Sequence, residues 1–120
     1  MRIVDRKTFL ALPPGAVFAT YAPCFFGEWR IKGKSLMHSG TESLGDFIAE
    51  ELVSTYPAGS VSSDTTFDAY DQMVAGKSVT MEPCDGRDGA FVRDQLFAVL
   101  EASDLALLRT VLAERAIDPF

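Results

Sequence analysis

The stretch QLFAVLEASDLALLRTVLAER, residues 95–115, decides the fold class because it joins a buried strand to an amphipathic helix. Its first part, QLFAVL, is apolar at nearly every position, which is typical of a central strand covered on both faces. Ser103 then predicts the start of a helix whose buried stripe is Leu105, Leu108 and Leu112. We therefore expect a strand inside a sheet, followed directly by a main helix.

Two further segments are predicted to be helical from their caps and breakers. DRKTFLALPPG, residues 5–15, predicts a short helical turn that is capped by Asp5 and ended by its two prolines. A longer helix is predicted to begin at Ser63 or Asp64 and to end at Gly76, with apolar residues at helical spacing between them. The chain thus carries two main helices and one short helical turn.

Strands are predicted from alternation and from β-branched or aromatic content, at residues 16–23, 27–33, 46–54 and 78–83. In the second of these, GEWRIKG, Trp29 and Ile31 point to one face. Glu28, Arg30 and Lys32 then form an exposed polar face. Because the order of elements lacks regular βαβ alternation, we predict an α+β fold, with an antiparallel β-sheet packed against two main α-helices.

The chain has 120 residues, of which 48% are hydrophobic, and this suits a single domain over residues 1–120. Its formal net charge is −6, which argues against DNA and anionic membranes as partners. The N-terminal stretch lacks the apolar region of a signal peptide, and no run reaches the roughly 18 apolar residues of a membrane span. We therefore expect a cytoplasmic protein.

The residues that usually carry catalysis or bind metals are sparse. Cys24 and Cys84 are the only cysteines, and two reduced thiols are expected in preference to a disulfide or a metal pair. The only histidine, His38, lies in the polar stretch SLMHSGTES (residues 35–43), which is typical of a solvated loop. No phosphate-binding glycine loop, nucleophile elbow or zinc-protease motif is present. We expect no enzyme activity, no metal and no cofactor.

The segment CDGRDGAFVRD, residues 84–94, concentrates charges and glycines before the apolar strand. One interpretation is structural: Arg87, Asp88, Arg93 and Asp94 pair with one another and keep the connection soluble. The other is functional, because a guanidinium is always charged and holds phosphate oxygens through two parallel hydrogen bonds. Both interpretations stay open at this point.

Aromatic residues accompany the cations in two places. Phe25, Phe26 and Trp29 lie near Arg30 and Lys32, and Phe91 lies between Arg87 and Arg93. Trp29 and Phe97 are expected in the core. Phe25, Phe26 and Phe91 have loop-like contexts and are better candidates for stacking on a nucleobase. The combined pattern suits a small ligand that carries phosphates and a base.

Two long strings, DRKTFLALPPGAVFATYAPCFFGEWRIKG (residues 5–33) and CDGRDGAFVRDQLFAVLEASDLALLRTVL (residues 84–112), resemble small bacteriophage proteins of the first-described Thoeris anti-defence family. The resemblance covers both ends of the chain and does not extend over residues 35–81. It implies a protein that binds cyclic ADP-ribose isomers without cleaving them, and for some members cyclic trinucleotides. It also implies an antiparallel sheet with two long helices, a homodimer or higher homo-oligomer, and action in the infected bacterial cell.

In this interpretation the ligand-binding candidates share charge or an aromatic ring near the two matched strings: Arg87, Arg93, Asp88, Phe91, Arg30, Lys32 and Phe25. The arginines would hold phosphates, and the flanking aspartates would orient them and contact ribose hydroxyls. A different hypothesis also stays open. The protein would be a phage inhibitor that blocks a host defence complex by direct protein–protein binding, as anti-CRISPR proteins do.

Overall fold

The computed structural model describes residues 1–38 and 44–120, and within them the chain forms one antiparallel sheet and three helices. The strands are β1 (Arg2–Val4), β2 (Val17–Ala22), β3 (Phe25–Phe26), β4 (Arg30–Met37), β5 (Leu44–Glu51), β6 (Asp85–Arg87) and β7 (Leu96–Val99). The helices are α1 (Arg6–Leu10), α2 (Ser63–Val74) and α3 (Ala102–Glu114). The predicted α+β fold with an antiparallel sheet is confirmed.

The strand order is β1-β7-β2-β4-β5-β6, and β3 pairs with the end of β2. The longest pair is formed by β4 and β5, with eight residues in each strand. Met37 lies opposite Leu44 at one end of this pair, and Arg30 lies opposite Glu51 at the other. These two ends, called the Met37 end and the Arg30 end, are separated by roughly 20 Å at the usual rise per strand residue.

β2 and β7 are interior strands of the sheet, and both of their faces are covered. Phe18 and Phe97 are buried on one face, and Val17, Ala19 and Ala98 are buried at the alternating positions. β7 lies between β1 and β2, with Ala19 opposite Ala98. The prediction that QLFAVL is a central strand is therefore confirmed.

Four phenylalanine rings form the middle of the core. Phe9 of α1 stacks on Phe97 at 3.9 Å between ring centroids, and its ring lies 4.6 Å from Phe18 and 4.9 Å from Phe47. α1 is held in place by Asp5, whose carboxylate accepts a hydrogen bond from the backbone N–H of Thr8 at 2.8 Å. A helix of five residues thereby covers one face of the sheet, as the predicted Asp5 cap indicated.

The longer helices contribute no fully buried residue. α2 is capped by Ser62 and α3 by Glu101, so that both begin slightly earlier than predicted. In the predicted stripe of α3, Leu105 and Leu108 are only half-buried and Leu112 is exposed. Across residues 1–38 and 44–120, no helix combines the length and the apolar character needed to cross a membrane.

Two predictions around the sheet edge need correction. Residues 78–83 were expected to form a strand, but they make only an isolated bridge between Met81 and Pro57. The edge strand is instead β6, which lies within the segment predicted as a polar loop and pairs with β5 from Asp85 to Arg87. All three residues of β6 are exposed, so the strand has no buried face and lacks the apolar alternation by which strands are recognised.

Candidate functional site

A cavity of about 710 Å³ lies beside α1, at the Met37 end of the β4–β5 pair. We call it the α1 cavity. Its walls come from the first helix, from the Met37 end and from the loop before β7, and its lining residues are Arg6, Lys7, Leu10, Ala11, His38, Leu44, Gly45, Phe91 and Arg93. Three segments that are distant in the chain thus meet around one hollow.

The charge of the α1 cavity is opposite to that of the whole chain. Arg6, Lys7 and Arg93 line it, and none of its lining residues in the described part of the chain is a carboxylate. Arg93 has no ion pair within residues 1–38 and 44–120. In a protein of net charge −6, this grouping of fixed cations provides a local site for an anion.

Arg6 is held in a defined position. Its Nη2 atom donates a hydrogen bond to the backbone carbonyl of Gly45 at 2.8 Å, and its guanidinium carbon lies 5.9 Å from the centre of the Phe47 ring. These contacts leave other guanidinium N–H groups available, because the side chain has five donors. The arginine is therefore oriented before any ligand binds.

The loop before β7 supplies a partly exposed aromatic ring. Phe91 is 50% exposed and adopts a φ of 53°, in the left-handed region that non-glycine residues rarely occupy. Its ring lies 6.0 Å from the ring of His38, with 19° between the two planes. The exposed part of Phe91 offers a surface on which a planar base can stack.

Gly45 shapes the wall next to His38. A Cβ atom at this position would lie 2.5 Å from the His38 ring, so a side chain there would force the imidazole to move. The absence of a side chain at residue 45 therefore allows the histidine to lie against β5 and to line the α1 cavity. His38 was expected in a solvated loop, and residues 39–43 of that stretch lie outside the described residues.

The charged loop is attached to the sheet by Asp46. This carboxylate is 1% exposed, accepts a hydrogen bond from Arg87 Nε at 3.0 Å, and accepts another from the backbone N–H of Gly89 at 3.1 Å. Asp88 pairs with Arg30 at 3.4 Å. The structural interpretation of the loop was therefore wrong about the partners, because Arg87 and Asp88 pair with strand residues rather than with each other.

The pKa of Asp46 is the balance of opposing effects. Burial raises it, but hydrogen bonds from the backbone N–H groups of Phe47 and Gly89 and from Arg87 outweigh burial and hold the pKa below its usual value. The carboxylate is therefore charged at neutral pH, and its ion pair with Arg87 keeps the loop attached to β5.

We expect Asp46→Asn to lower the free energy of unfolding by about 1.5–3 kcal/mol at neutral pH, since it removes hydrogen bonds to a charged group. A lowered folded-state pKa means that the stabilisation is complete above the unfolded value of about 3.9 and is lost as the pH falls below it. Urea unfolding at several pH values should therefore show the difference between wild type and variant shrinking in acid. Asp68→Asn, on α2, is the control, and a difference that is constant at all pH values would contradict the role given to the charge.

The seven residues predicted to bind ligand fall into separate places. Phe91 and Arg93 line the α1 cavity, whereas Arg30 and Arg87 line a smaller groove at the Arg30 end. Asp88 is paired with Arg30, and Phe25 lies on the hairpin formed by β2 and β3. The structure thus brings together two of the seven predicted residues and adds Arg6, Lys7 and His38 to them.

The prediction of an exposed ligand-binding face at Lys32 is wrong. Lys32 is 1% exposed, and its Nζ donates hydrogen bonds to the carbonyls of Leu12 and Gly33 and to Ser35 Oγ, at 3.0, 3.0 and 2.8 Å. Burial lowers the pKa of its ammonium group. Arg30 also faces the core, with its guanidinium carbon 5.1 Å from the centre of the Phe18 ring. Alternation correctly groups Arg30 with Lys32, but the shared face is the one that α1 covers.

Residues suited to metal binding are not clustered. Among the residues that the structure describes, no group of three His, Cys, Asp or Glu side chains could hold a metal ion. Cys24 and Cys84 are free and exposed. Comparison with known protein families, with curated proteins and with solved structures finds no match to this chain.

Proposed function

We propose that this protein binds a phosphate-bearing nucleotide in the α1 cavity and sequesters it without cleaving it. The observation that carries the proposal is the grouping of Arg6, Lys7 and Arg93 around one hollow with no carboxylate among its described lining residues. Charge-assisted hydrogen bonds from arginine to phosphate are among the stronger polar contacts in proteins. Two arginines and one lysine should therefore bind a ligand with two phosphate groups more tightly than a neutral ligand.

Size and shape support a ligand larger than a single phosphate. The volume of about 710 Å³ falls within the range of small-molecule sites, roughly 300–1,000 Å³. Phe91 offers a ring for stacking, which contributes on the order of 1–3 kcal/mol per base. Leu10 and Leu44 add apolar lining. The cavity therefore has complementary surfaces for a base and for phosphates.

The ligand class follows from the sequence resemblance combined with this cavity. We propose a cyclic ADP-ribose isomer, with cyclic oligonucleotides as further ligands, and an anti-defence role in which a phage protein removes an immune signal in the infected bacterial cell. None of the described residues that line the cavity carries a thiol, a hydroxyl or a carboxylate. The cavity therefore offers no such nucleophile among its described lining residues, and we propose that His38 and Lys7 contact the ligand without cleaving it.

The proposal includes a homo-oligomer, most simply a homodimer. Leu107 and Leu112 of α3 are both exposed. Phe67 and Val74 of α2 are exposed as well. Exposed apolar side chains on both helices support association with a second copy, which would cover them.

Thermal unfolding with and without ligand tests the binding. We expect cyclic ADP-ribose isomers to raise the melting temperature by several degrees, because ligand at 100 times Kd adds about 2.7 kcal/mol of stability. Adenosine, which lacks phosphates, is the matched control and should have little effect. The complex is then denatured by heat and the released compound identified. Absence of any shift with all cyclic nucleotides would reject the proposal, and release of a hydrolysed product would make the protein an enzyme.

A further inference from the structure

The Arg30 end of the β4–β5 pair carries an exposed apolar surface, which we call the aromatic patch. It consists of Phe25, Phe26, Trp29, Leu52 and Val53. Phe25 and Val53 are each 78% exposed. Four exposed apolar side chains beside the half-buried Trp29, at one end of a small sheet, exceed the scattered exposure that monomeric proteins usually show. None of these side chains lines the α1 cavity, which lies at the Met37 end.

The aromatic patch is pre-ordered by its own contacts. The ring of Phe26 lies 5.3 Å from Tyr21 and 6.1 Å from Trp29, with a nearly parallel arrangement in the second pair. The backbone N–H of Leu52 donates a hydrogen bond to the carbonyl of Trp29 at 3.1 Å. These contacts join the hairpin of β2 and β3 to the chain that leaves β5, so a partner would meet a surface that is already formed.

Carboxylates surround the aromatic patch. A hollow of about 380 Å³ is lined by Trp29, Leu52 and Val53 together with Glu28 and Glu51. The neighbouring groove shares those two glutamates and adds Asp85.

The two arginines that line that groove each form an ion pair with an aspartate. Arg30 pairs with Asp88, and Arg87 pairs with Asp46. Among the described residues, the unpaired charge beside the aromatic patch is therefore negative.

We propose that the aromatic patch is a docking surface for a protein segment that presents apolar side chains flanked by lysine or arginine. The negative rim disfavours nucleic acid and anionic membranes, which share its sign. It also disfavours a symmetric contact with a second copy, because a two-fold contact would bring the negative rims of both copies together. In a basic and apolar partner, the lysine or arginine side chains would pair with the carboxylates of the rim, and the apolar side chains would pack on the patch. This surface is independent of nucleotide binding.

Trp29 is the only tryptophan of the chain, so its fluorescence reports directly on this surface. The probe is a short synthetic peptide without tryptophan, in which leucine and phenylalanine are flanked by arginine and lysine. We expect it to shift the Trp29 emission to shorter wavelength in a saturable way and to bind less tightly as salt is added. A peptide with glutamate at every basic position should bind about tenfold more weakly or worse. A peptide with the same charges and serine in place of the apolar residues should also fail.

Variants of the full chain locate the binding. Glu51→Lys should weaken the basic peptide about tenfold and should recover binding to the glutamate peptide, which a merely structural effect would not produce. Val53→Ser should weaken binding, whereas Val61→Ser, at an exposed valine just before α2, is the matched control and should not. Melting curves confirm that each variant is folded.

Three results would overturn the proposal. The first is failure of the basic peptide to bind. The second is equal binding of the basic and glutamate peptides, or equal effects of Val53→Ser and Val61→Ser. The third comes from light scattering without peptide. If the wild type is an oligomer and only Val53→Ser has a lower mass, the aromatic patch is occupied by a second copy of this chain. None of these results bears on nucleotide binding at the α1 cavity.

Discussion

Replacing Phe9 with alanine is expected to lower the free energy of unfolding by about 3–5 kcal/mol, the usual cost of deleting a buried phenylalanine ring. Phe9 is fully buried, and its ring contacts those of Phe18, Phe47 and Phe97. It is also one of the two buried residues of α1, so the variant loses the main attachment of that helix to the sheet. Because small domains have only about 5–15 kcal/mol of stability, this is a large fraction of the total.

Urea unfolding followed by circular dichroism measures the effect. Phe25→Ala is the matched control, since Phe25 is mostly exposed and its truncation should change stability by less than about 0.5 kcal/mol. Should Phe9→Ala fail to fold, Phe9→Leu provides a measurable variant, expected to cost about 1–3 kcal/mol because the ring stacking and some volume are lost. Equal effects at Phe9 and Phe25 would show that the four-ring cluster is not the centre of the core.

The second large effect is expected on ligand affinity at Arg93. Arg93→Ala removes a cation from the wall of the α1 cavity, and each hydrogen bond to a charged group contributes roughly 1.5–3 kcal/mol. Affinity for a cyclic ADP-ribose isomer should therefore fall about tenfold to a hundredfold or more. Arg93→Lys keeps the charge but loses the two-pronged geometry, so most of the loss should remain. Titration calorimetry with each variant gives the affinity directly.

Arg87→Ala is the control for Arg93→Ala because both arginines belong to the same charged segment. Arg87 is 58% exposed, does not line the α1 cavity, and holds Asp46 at 3.0 Å. Its removal should lower the melting temperature, but the hydrogen bond from the backbone N–H of Gly89 to Asp46 still holds the loop, so the affinity for the nucleotide should fall much less than in Arg93→Ala. The reverse pattern, in which Arg87→Ala loses affinity and Arg93→Ala does not, would move the binding site from the α1 cavity to the groove at the Arg30 end.

Local patterns in the chain predicted the elements of the fold that depend on local physics. The Asp5 cap and the prolines that follow predicted α1, and the apolar run at residues 95–100 predicted the central strand β7. These predictions succeed because capping and the period of side-chain direction are properties of neighbouring residues. β6 was missed because its three residues are exposed, so its pairing with β5 leaves no apolar alternation in the sequence.

The candidate site shows the same division. Phe91 and Arg93 were predicted, because their residue types and spacing within one segment were visible in the chain. Arg6 and Lys7 were not, since they lie more than eighty residues away and meet Arg93 only when α1 crosses the sheet. Alternation predicted which side chains of β4 share a face. It did not predict that the face of Lys32 is the one covered by α1.

By itself, the sequence determined the α+β class, the charge and the composition of the segment that carries Phe91 and Arg93. Only the tertiary structure decided which cations are available to a ligand. Arg30 pairs with Asp88, and Arg87 pairs with Asp46. Lys32 is buried and donates hydrogen bonds to backbone carbonyls. Arg93 lines the α1 cavity and forms no ion pair with the described residues, so its N–H groups are available to a ligand. The physical reason is that pairing and burial depend on distances between chain segments, which residue type and local spacing do not specify.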